Sequence, residues 1–246
     1  MAQCKLCLQE RKLCNSHIVP DFIFRELKKQ DGSFYFFRAP GDGDQGEWKQ
    51  FYQTLSEKLL CSDCESLLSR WEGYASRMFA NNTSWTATHL GERIYIIRGA
   101  DYAMLKLFFM SLLWRFAVSS SPWFKRIDLG PHTERLRKLI IASSPGEPWR
   151  YGCMMVAVTL KQKRVHDVII PAFERRFAGV RCVTLVIGGI LLNFFVCSHV
   201  PPEDSEKLVT QENGEFFFFR MEVHELDFMR PLISSMKSTP RTVPLE

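Results

Sequence analysis

Two Cys-x-x-Cys pairs, Cys4-Lys5-Leu6-Cys7 and Cys61-Ser62-Asp63-Cys64, carry the clearest chemistry in this sequence. Each pair closes a tight knuckle that aims two thiolates at one point. Two knuckles supply the closed, tetrahedral four-sulfur shell of a structural zinc. Four ordinary buried thiols are the alternative, but paired knuckles at this spacing seldom arise from packing alone. The 8–60 gap is longer than a compact zinc ribbon needs, so a segment is inserted between the knuckles. That segment holds Ser16-His17-Ile18-Val19-Pro20. The unperturbed pKa of imidazole lies close to neutrality, which suits His17 to proton transfer. Its alternative role is structural, bonding nearby backbone or a carboxylate.

Carboxylates lie near the second knuckle: Glu57 before it, Glu65 directly after Cys64, and Glu72. Glu65 and Glu72 are seven apart, so both project from one face of a helix, where a solvated face is the ordinary reading. His89, His132, His166, His199 and His224 are scattered without ligand spacing. Lys125-Arg126, Arg135 to Lys138, Lys161 to Arg164 and Arg175-Arg176 are basic clusters. Each is by default a solvated face; together with a net charge of +5 they favour nucleic-acid binding only modestly. The sequence Asn81-Asn82-Thr83 fits a glycosylation pattern that has no meaning in a cytoplasmic protein.

These residues must be positioned by the elements around them. A short helix is expected at 21–29, with Asp21 as its N-cap and Lys28-Lys29 near its end, then a strand at 33–39 and a turn-rich loop at 40–50. Across 55–80, Leu59, Leu60, Leu67, Leu68, Trp71 and Met78 form an apolar stripe on a helix that follows the second knuckle. The 101–119 segment is a strongly apolar helix, buried on most sides. The 132–143 segment is an amphipathic helix with Leu136, Leu139 and Ile140 inward. The last hundred residues read as strands at 154–160, 165–170, 181–187, 190–199 and 215–223, a polar excursion at 201–213, and a tail at 237–246. The apolar run at 183–197 is too short for a membrane helix, and Gly188-Gly189 within it reads as a hairpin.

With 246 residues, the chain is long enough for one large domain or two small ones. Its 46% hydrophobic and 24% charged content is that of a soluble globular protein. Cys14, Cys153, Cys182 and Cys197 sit singly among apolar or turn residues and are expected as free thiols. The polar start of the chain, already carrying a knuckle, argues for a reducing, cytoplasmic setting.

Cys-x-x-Cys, then His-Ile-x-Pro, then a Cys-x-x-Cys that opens a helix resembles the zinc-stapled HNH endonuclease family, over about residues 1–80. The pattern Ser-His-Ile-Val-Pro-(x)4-Arg with Leu-Leu-Cys-x-x-Cys-Glu resembles a bacterial HNH-like subgroup. The resemblance implies a ββα-metal unit, with zinc stapling its ends and a catalytic Mg²⁺ or Mn²⁺ between hairpin and helix. It makes His17 the general base and Pro20 a residue that fixes the chain leaving it. Where the family carries Asp or His before the base, this chain has Ser16. The family's middle Asn falls near Ser56 or Glu57, and its last ligand near Glu65. Glutamate is a hard ligand for magnesium, so Glu65, Glu57 or Glu72 fits a rearranged site. A site that has lost metal and activity is the alternative.

The expected architecture is α+β: a zinc-binding HNH-like domain at 1–92 and a helix-plus-sheet domain at 93–246, its strands antiparallel. The expected function is metal-dependent phosphodiester hydrolysis, with DNA as substrate, in a bacterial restriction or anti-phage system that includes a protein partner. The second reading, from another class, is a catalytically inactive zinc scaffold that binds nucleic acid or a protein. A third makes the C-terminal part a ligand or partner sensor. No membrane role is expected.

Overall fold

The computed structural model describes residues 1–25, 27, 33–38, 47–51, 55–81, 86–165, 168–200 and 203–229. Expectations for Lys28-Lys29, the glycines of the 40–50 loop, Asn82-Thr83, His166 and the tail at 237–246 lie outside the described residues.

Two short strands, β1 (Ala2–Gln3) and β2 (Glu10–Arg11), bracket the first cysteine pair. Next come β3 (Leu13–His17), helix α1 (Asp21–Arg25), β4 (Phe34–Arg38) and β5 (Glu47–Phe51). β6 (Ser56–Cys61) runs straight into α2 (Ser62–Asn81). β7 (Thr86–His89) and β8 (Ile94–Arg98) precede helices α3 (Tyr102–Val118) and α4 (Pro131–Ile141). The remainder is β9 (Cys153–Leu160), β10 (Lys163–Arg164), β11 (Val168–Phe177), β12 (Val180–Ile187), β13 (Ile190–Phe195), a single turn α5 (Glu203–Glu206) and β14 (Phe216–Glu222). Two 3-10 turns, Val223–Glu225 and Asp227–Met229, follow.

The protein is mixed α/β, with one ten-stranded sheet in the order β5-β4-β11-β12-β13-β9-β14-β8-β7 and β10 paired with β9. Its pairings are antiparallel except β4–β11 and β9–β14. Alternation along β9 sends Cys153 and Met155 to one core, and Met154, Val156 and Val158 to another on the opposite face. The first core lies under the helices. It is continuous from Cys4 and Leu6 through Leu68, Trp71 and α3 to Phe194 and Phe216. The second is closed by Val209, Val223, Leu226 and Met229.

α3 is the central element. The Asp101 carboxylate accepts from the Met104 N–H at 3.0 Å and caps its start. Every residue from Leu105 to Phe116 is buried, as its nearly unbroken apolar sequence requires. Two of these are charged. Lys106 donates to the Pro148 and Arg150 carbonyls, each at 2.7 Å, and burial pulls its pKa down to about 7. The other is Arg115.

One reading is revised. Residues 56–61 are strand, not the start of a helix, so Leu59 and Leu60 belong to β6. β4, β5 and β7 come from before residue 92 yet lie in the large sheet, so both sheet and first core cross the expected domain boundary.

Candidate metal centre

The first knuckle is built by backbone bonds. Leu8 N–H donates to the Cys4 carbonyl and Cys4 N–H to the Gln9 carbonyl, both at 2.9 Å, and Leu8 takes φ of 64° to close the loop. Lys5 N–H donates to the Leu59 carbonyl at 3.1 Å, which docks this knuckle on β6. The second knuckle is the junction of β6 and α2, with Cys61 ending the strand and Cys64 in the first helical turn. Arg11 and Asp63 join the two knuckles at 3.0 Å. From α4, Arg137 donates to the Leu6 carbonyl at 2.7 Å.

All four sulfurs lie within 4.8 Å of one another. A tetrahedron with zinc–sulfur bonds of about 2.3 Å has edges of roughly 3.8 Å; Cys7 Sγ and Cys61 Sγ are 3.8 Å apart. The Cys61 N–H donates to Cys4 Sγ at 3.3 Å, an interaction that favours the thiolate. Burial opposes ionisation of Cys4, yet the backbone N–H groups of Cys7, Cys61 and Leu6 outweigh it and bring the thiol down to about 7. Burial, and then the neighbouring cysteines, raise Cys64. A group of thiols in which one ionises and another resists suits a dication, which stabilises all the thiolates together. Cys4, Cys7, Cys61 and Cys64 can therefore hold a metal ion such as zinc, with no open position. Among the described residues they are the one group of three or more His, Cys, Asp or Glu side chains close enough to share an ion.

His17 ends β3, which pairs with β6 to form a two-stranded antiparallel ribbon leading into α2. Ser16 faces Glu57 across the ribbon, and His17 faces Ser56. Pairing partners share a face, so Ser16 and Glu57 look one way and His17 the other. Ser16 is buried, and its hydroxyl accepts from the Leu60 N–H at 3.1 Å. The Glu57 carboxylate accepts from both N–H and hydroxyl of Ser120, just beyond α3. The face of His17 is more open and carries Asn15, Ser56 and Lys58, all exposed, with Asn15 Nδ2 donating to Ser56 Oγ at 2.8 Å. The His17 ring makes no hydrogen bond or ion pair among the described residues; its carbonyl accepts from Arg115 at 2.8 Å.

Glu65 follows Cys64 in the first turn of α2, and its Oε1 is buried without a hydrogen-bond partner. Glu72 pairs with Arg115 at 2.7 Å. The cation at the junction of ribbon and helix is thus a guanidinium supplied by α3. The structure does not gather His17, Glu57 and Glu65 around one ion among the described residues. Sequence reasoning did not single out Arg115, Ser120 or Arg137 for these roles. For Arg115 a signal was present, since it stands alone in the apolar run Ser-Leu-Leu-Trp-Arg-Phe-Ala.

Of the basic clusters, Lys125 and Arg126 are exposed, whereas Arg137 and Lys138 pair with Glu134 and Arg175 lies against Phe177 and Phe228. Among the described residues, no helix is long and apolar enough to cross a membrane. No protein-family model, curated protein or solved structure matches the chain.

Proposed function

We propose that this chain is a zinc-stapled binding module whose ribbon holds a nucleic acid without cutting it. One observation carries the reading: a buried guanidinium, Arg115, occupies the junction of ribbon and helix where a hydrolytic ion would be needed. Arg115 neutralises Glu72, and Glu57 is engaged by Ser120, so neither carboxylate is free for a divalent ion. A dication beside that guanidinium would meet like-charge repulsion in a poorly solvated place. The open face of the ribbon supports the binding half of the reading. Asn15, His17, Ser56 and Lys58 are donors and acceptors suited to phosphates and base edges, and a two-stranded ribbon fits a major groove. Lys5 and Lys12, both exposed on the adjoining N-terminal segments, add positive charge.

The test is fluorescence anisotropy with duplex DNA, single-stranded DNA and RNA over a salt series, run beside a cleavage assay with Mg²⁺ and Mn²⁺. Binding that weakens with salt and is lost in Lys58→Glu, with every substrate left intact, is the expected result. No binding to any of the three would end the reading.

Hydrolysis is the second reading, favoured by the buried Glu65 Oε1 beside the second knuckle and by the His17 ring, neither of which has a hydrogen-bond partner among the described residues. It requires a metal-dependent cut that His17→Ala abolishes while zinc content stays unchanged; a general base contributes about 10²–10⁴-fold in rate.

A further inference from the structure

The second core includes a polar patch on the sheet face away from α3. Phe173, Arg175 and Phe177 alternate on β11 and share that face. In one row of pairing partners Arg175 faces Cys182, which faces Phe195. In the next row Phe173 faces Thr184, Thr184 faces Asn193, and Asn193 faces Met154. Phe228, from the last 3-10 turn, lies 5.2 Å from the ring of Phe173, and Phe177 lies 6.1 Å from that of Phe195.

Two donors in this patch, Arg175 Nε and Asn193 Nδ2, have no acceptor at hydrogen-bond distance among the described residues. Thr184 and Asn193 are fully buried, and the Thr184 hydroxyl bonds Asn193 Oδ1 at 2.6 Å, leaving the Asn193 amide Nδ2 buried without a partner. Arg175 Nε is also buried without a partner. The guanidinium lies 5.7 Å from the ring of Phe177 and 5.1 Å from that of Phe228, and no carboxylate pairs with it among the described residues. Cys182 is not the missing anion: burial pushes its thiol up to about 11, and it donates to the Val180 carbonyl at 3.5 Å. A half-buried cation without a counter-charge among the described residues, and a buried amide without an acceptor there, are each unfavourable. Water would satisfy the amide but would not neutralise Arg175.

We propose that this face of the sheet binds a small organic molecule with an oxyanion on a flat apolar body. The oxyanion takes the Arg175 guanidinium, whose fork matches a carboxylate, and Asn193 Nδ2 donates to a further acceptor. The body lies against the rings of Phe173, Phe177, Phe195 and Phe228. The pairing of β11 with β12 is irregular between Ile170 and Phe173, a local distortion of the kind that re-aims side chains beside binding sites. An inorganic anion would leave the rings unused, and a neutral apolar molecule would leave the charge unmatched. The site is independent of the nucleic-acid reading.

The probes are naphthalene-2-carboxylate, its neutral counterpart 2-naphthylmethanol, decanoate and inorganic phosphate, titrated into the full chain by calorimetry. Naphthalene-2-carboxylate should bind and raise the melting temperature. The alcohol should bind about tenfold more weakly, since hydrogen bonds to charged groups exceed neutral ones by that order. Arg175→Gln should erase the preference for acid over alcohol, and Asn193→Ala should weaken the acid by about threefold or more. If Arg175→Gln does not fold, Arg175→Lys replaces it; keeping the charge without the fork, it should bind the acid more weakly than the native chain. Decanoate binding in place of the naphthoate would overturn the flat body and with it the proposal. The proposal is overturned if neither acid binds the native chain, if phosphate alone binds, or if the Arg175 variants bind the acid as the native chain does.

Discussion

Replacing Arg115 by methionine tests how the ribbon is held against the helices. In the native chain this guanidinium side chain is 3% exposed, pairs with Glu72 at 2.7 Å and donates to the His17 carbonyl at 2.8 Å. It also donates to the carbonyl and hydroxyl of Ser111, each at 3.3 Å. Methionine keeps most of the packing of the stem and removes every donor. Breaking a buried ion pair by deleting one partner costs about 3–5 kcal/mol. The Glu72 side chain is 24% exposed and can turn partly to water, which puts the expected cost at the lower end, about 3 kcal/mol. At about 2–4 °C per kcal/mol for a chain of this size, the melting temperature should fall by roughly 6–12 °C. Hydrogen exchange should quicken at the Ile18 and Leu60 amides, which bond within the ribbon region. The double variant Arg115→Met with Glu72→Leu leaves no uncompensated charge and should recover at least about 1 kcal/mol over the single change. A single variant that melts within about 2 °C of the native chain, or a double variant less stable than the single, would refute the reasoning.

Elemental analysis should find about one zinc per chain, and Cys61→Ser should sharply lower the folded yield, because metal binding in such a shell is folding free energy. A zinc-free protein of equal stability would contradict this. Alkylation without reductant, followed by mass spectrometry, should find Cys14, Cys153, Cys182 and Cys197 unbridged, as all are free in the structure. Glu222 accepts from the N–H groups of Lys161 and Gln162 and the hydroxyl of Thr159, each at 2.9 Å, closing a turn whose central residues have φ of 52° and 67°. Burial raises its carboxyl, but these bonds outweigh burial and hold it below the ordinary carboxylate range. Its contribution is therefore present above the unfolded pKa of about 4.3 and lost as pH falls through the lower folded value. Glu222→Gln should cost about 1 kcal/mol at pH 7 and flatten the acid side of the stability profile, read by urea unfolding. Gly214 has φ of 78°, and a Cβ there would lie 2.1 Å from the Ala100 carbonyl oxygen, so Gly214→Ala should cost well over about 1 kcal/mol. Within α2, where the nearest atom to a Cβ on Gly73 is an Arg77 nitrogen at 3.4 Å, Gly73→Ala should instead stabilise by about 0.5–1 kcal/mol.

The cysteine pairs were legible because metal-ligand spacing is a local property, and knuckle geometry follows from three or four residues. α3 and α4 were legible from the extent and period of their apolar residues. β6 was not, because Leu59 and Leu60 fit a helical stripe as well as a strand, and only pairing with β3 decides between them. β5 and β8 were missed for the same reason: their sequences become strands by finding partners in a sheet assembled from distant segments. Arg175-Arg176 shows the limit most plainly. Two adjacent arginines read as one basic patch, but strand alternation leaves Arg176 exposed and sends Arg175 toward the second core.

Three of the places that draw charged or ionisable groups away from water, among the described residues, differ in what completes them. Four thiols around one point can be completed by an external dication such as zinc. Glu72 is completed from within by Arg115, which also donates to the His17 carbonyl, so that junction carries its own counter-charge. Arg175 resembles neither: it is half-buried, its Nε is enclosed without a partner, and no carboxylate pairs with it among the described residues. Among the described residues Arg115 has its glutamate, whereas Arg175 and Asn193, one row apart, have no acceptor and lie beside aromatic rings. On the proposed reading, scaffold and binding site differ in whether the partner of a buried polar atom comes from the chain or from a ligand.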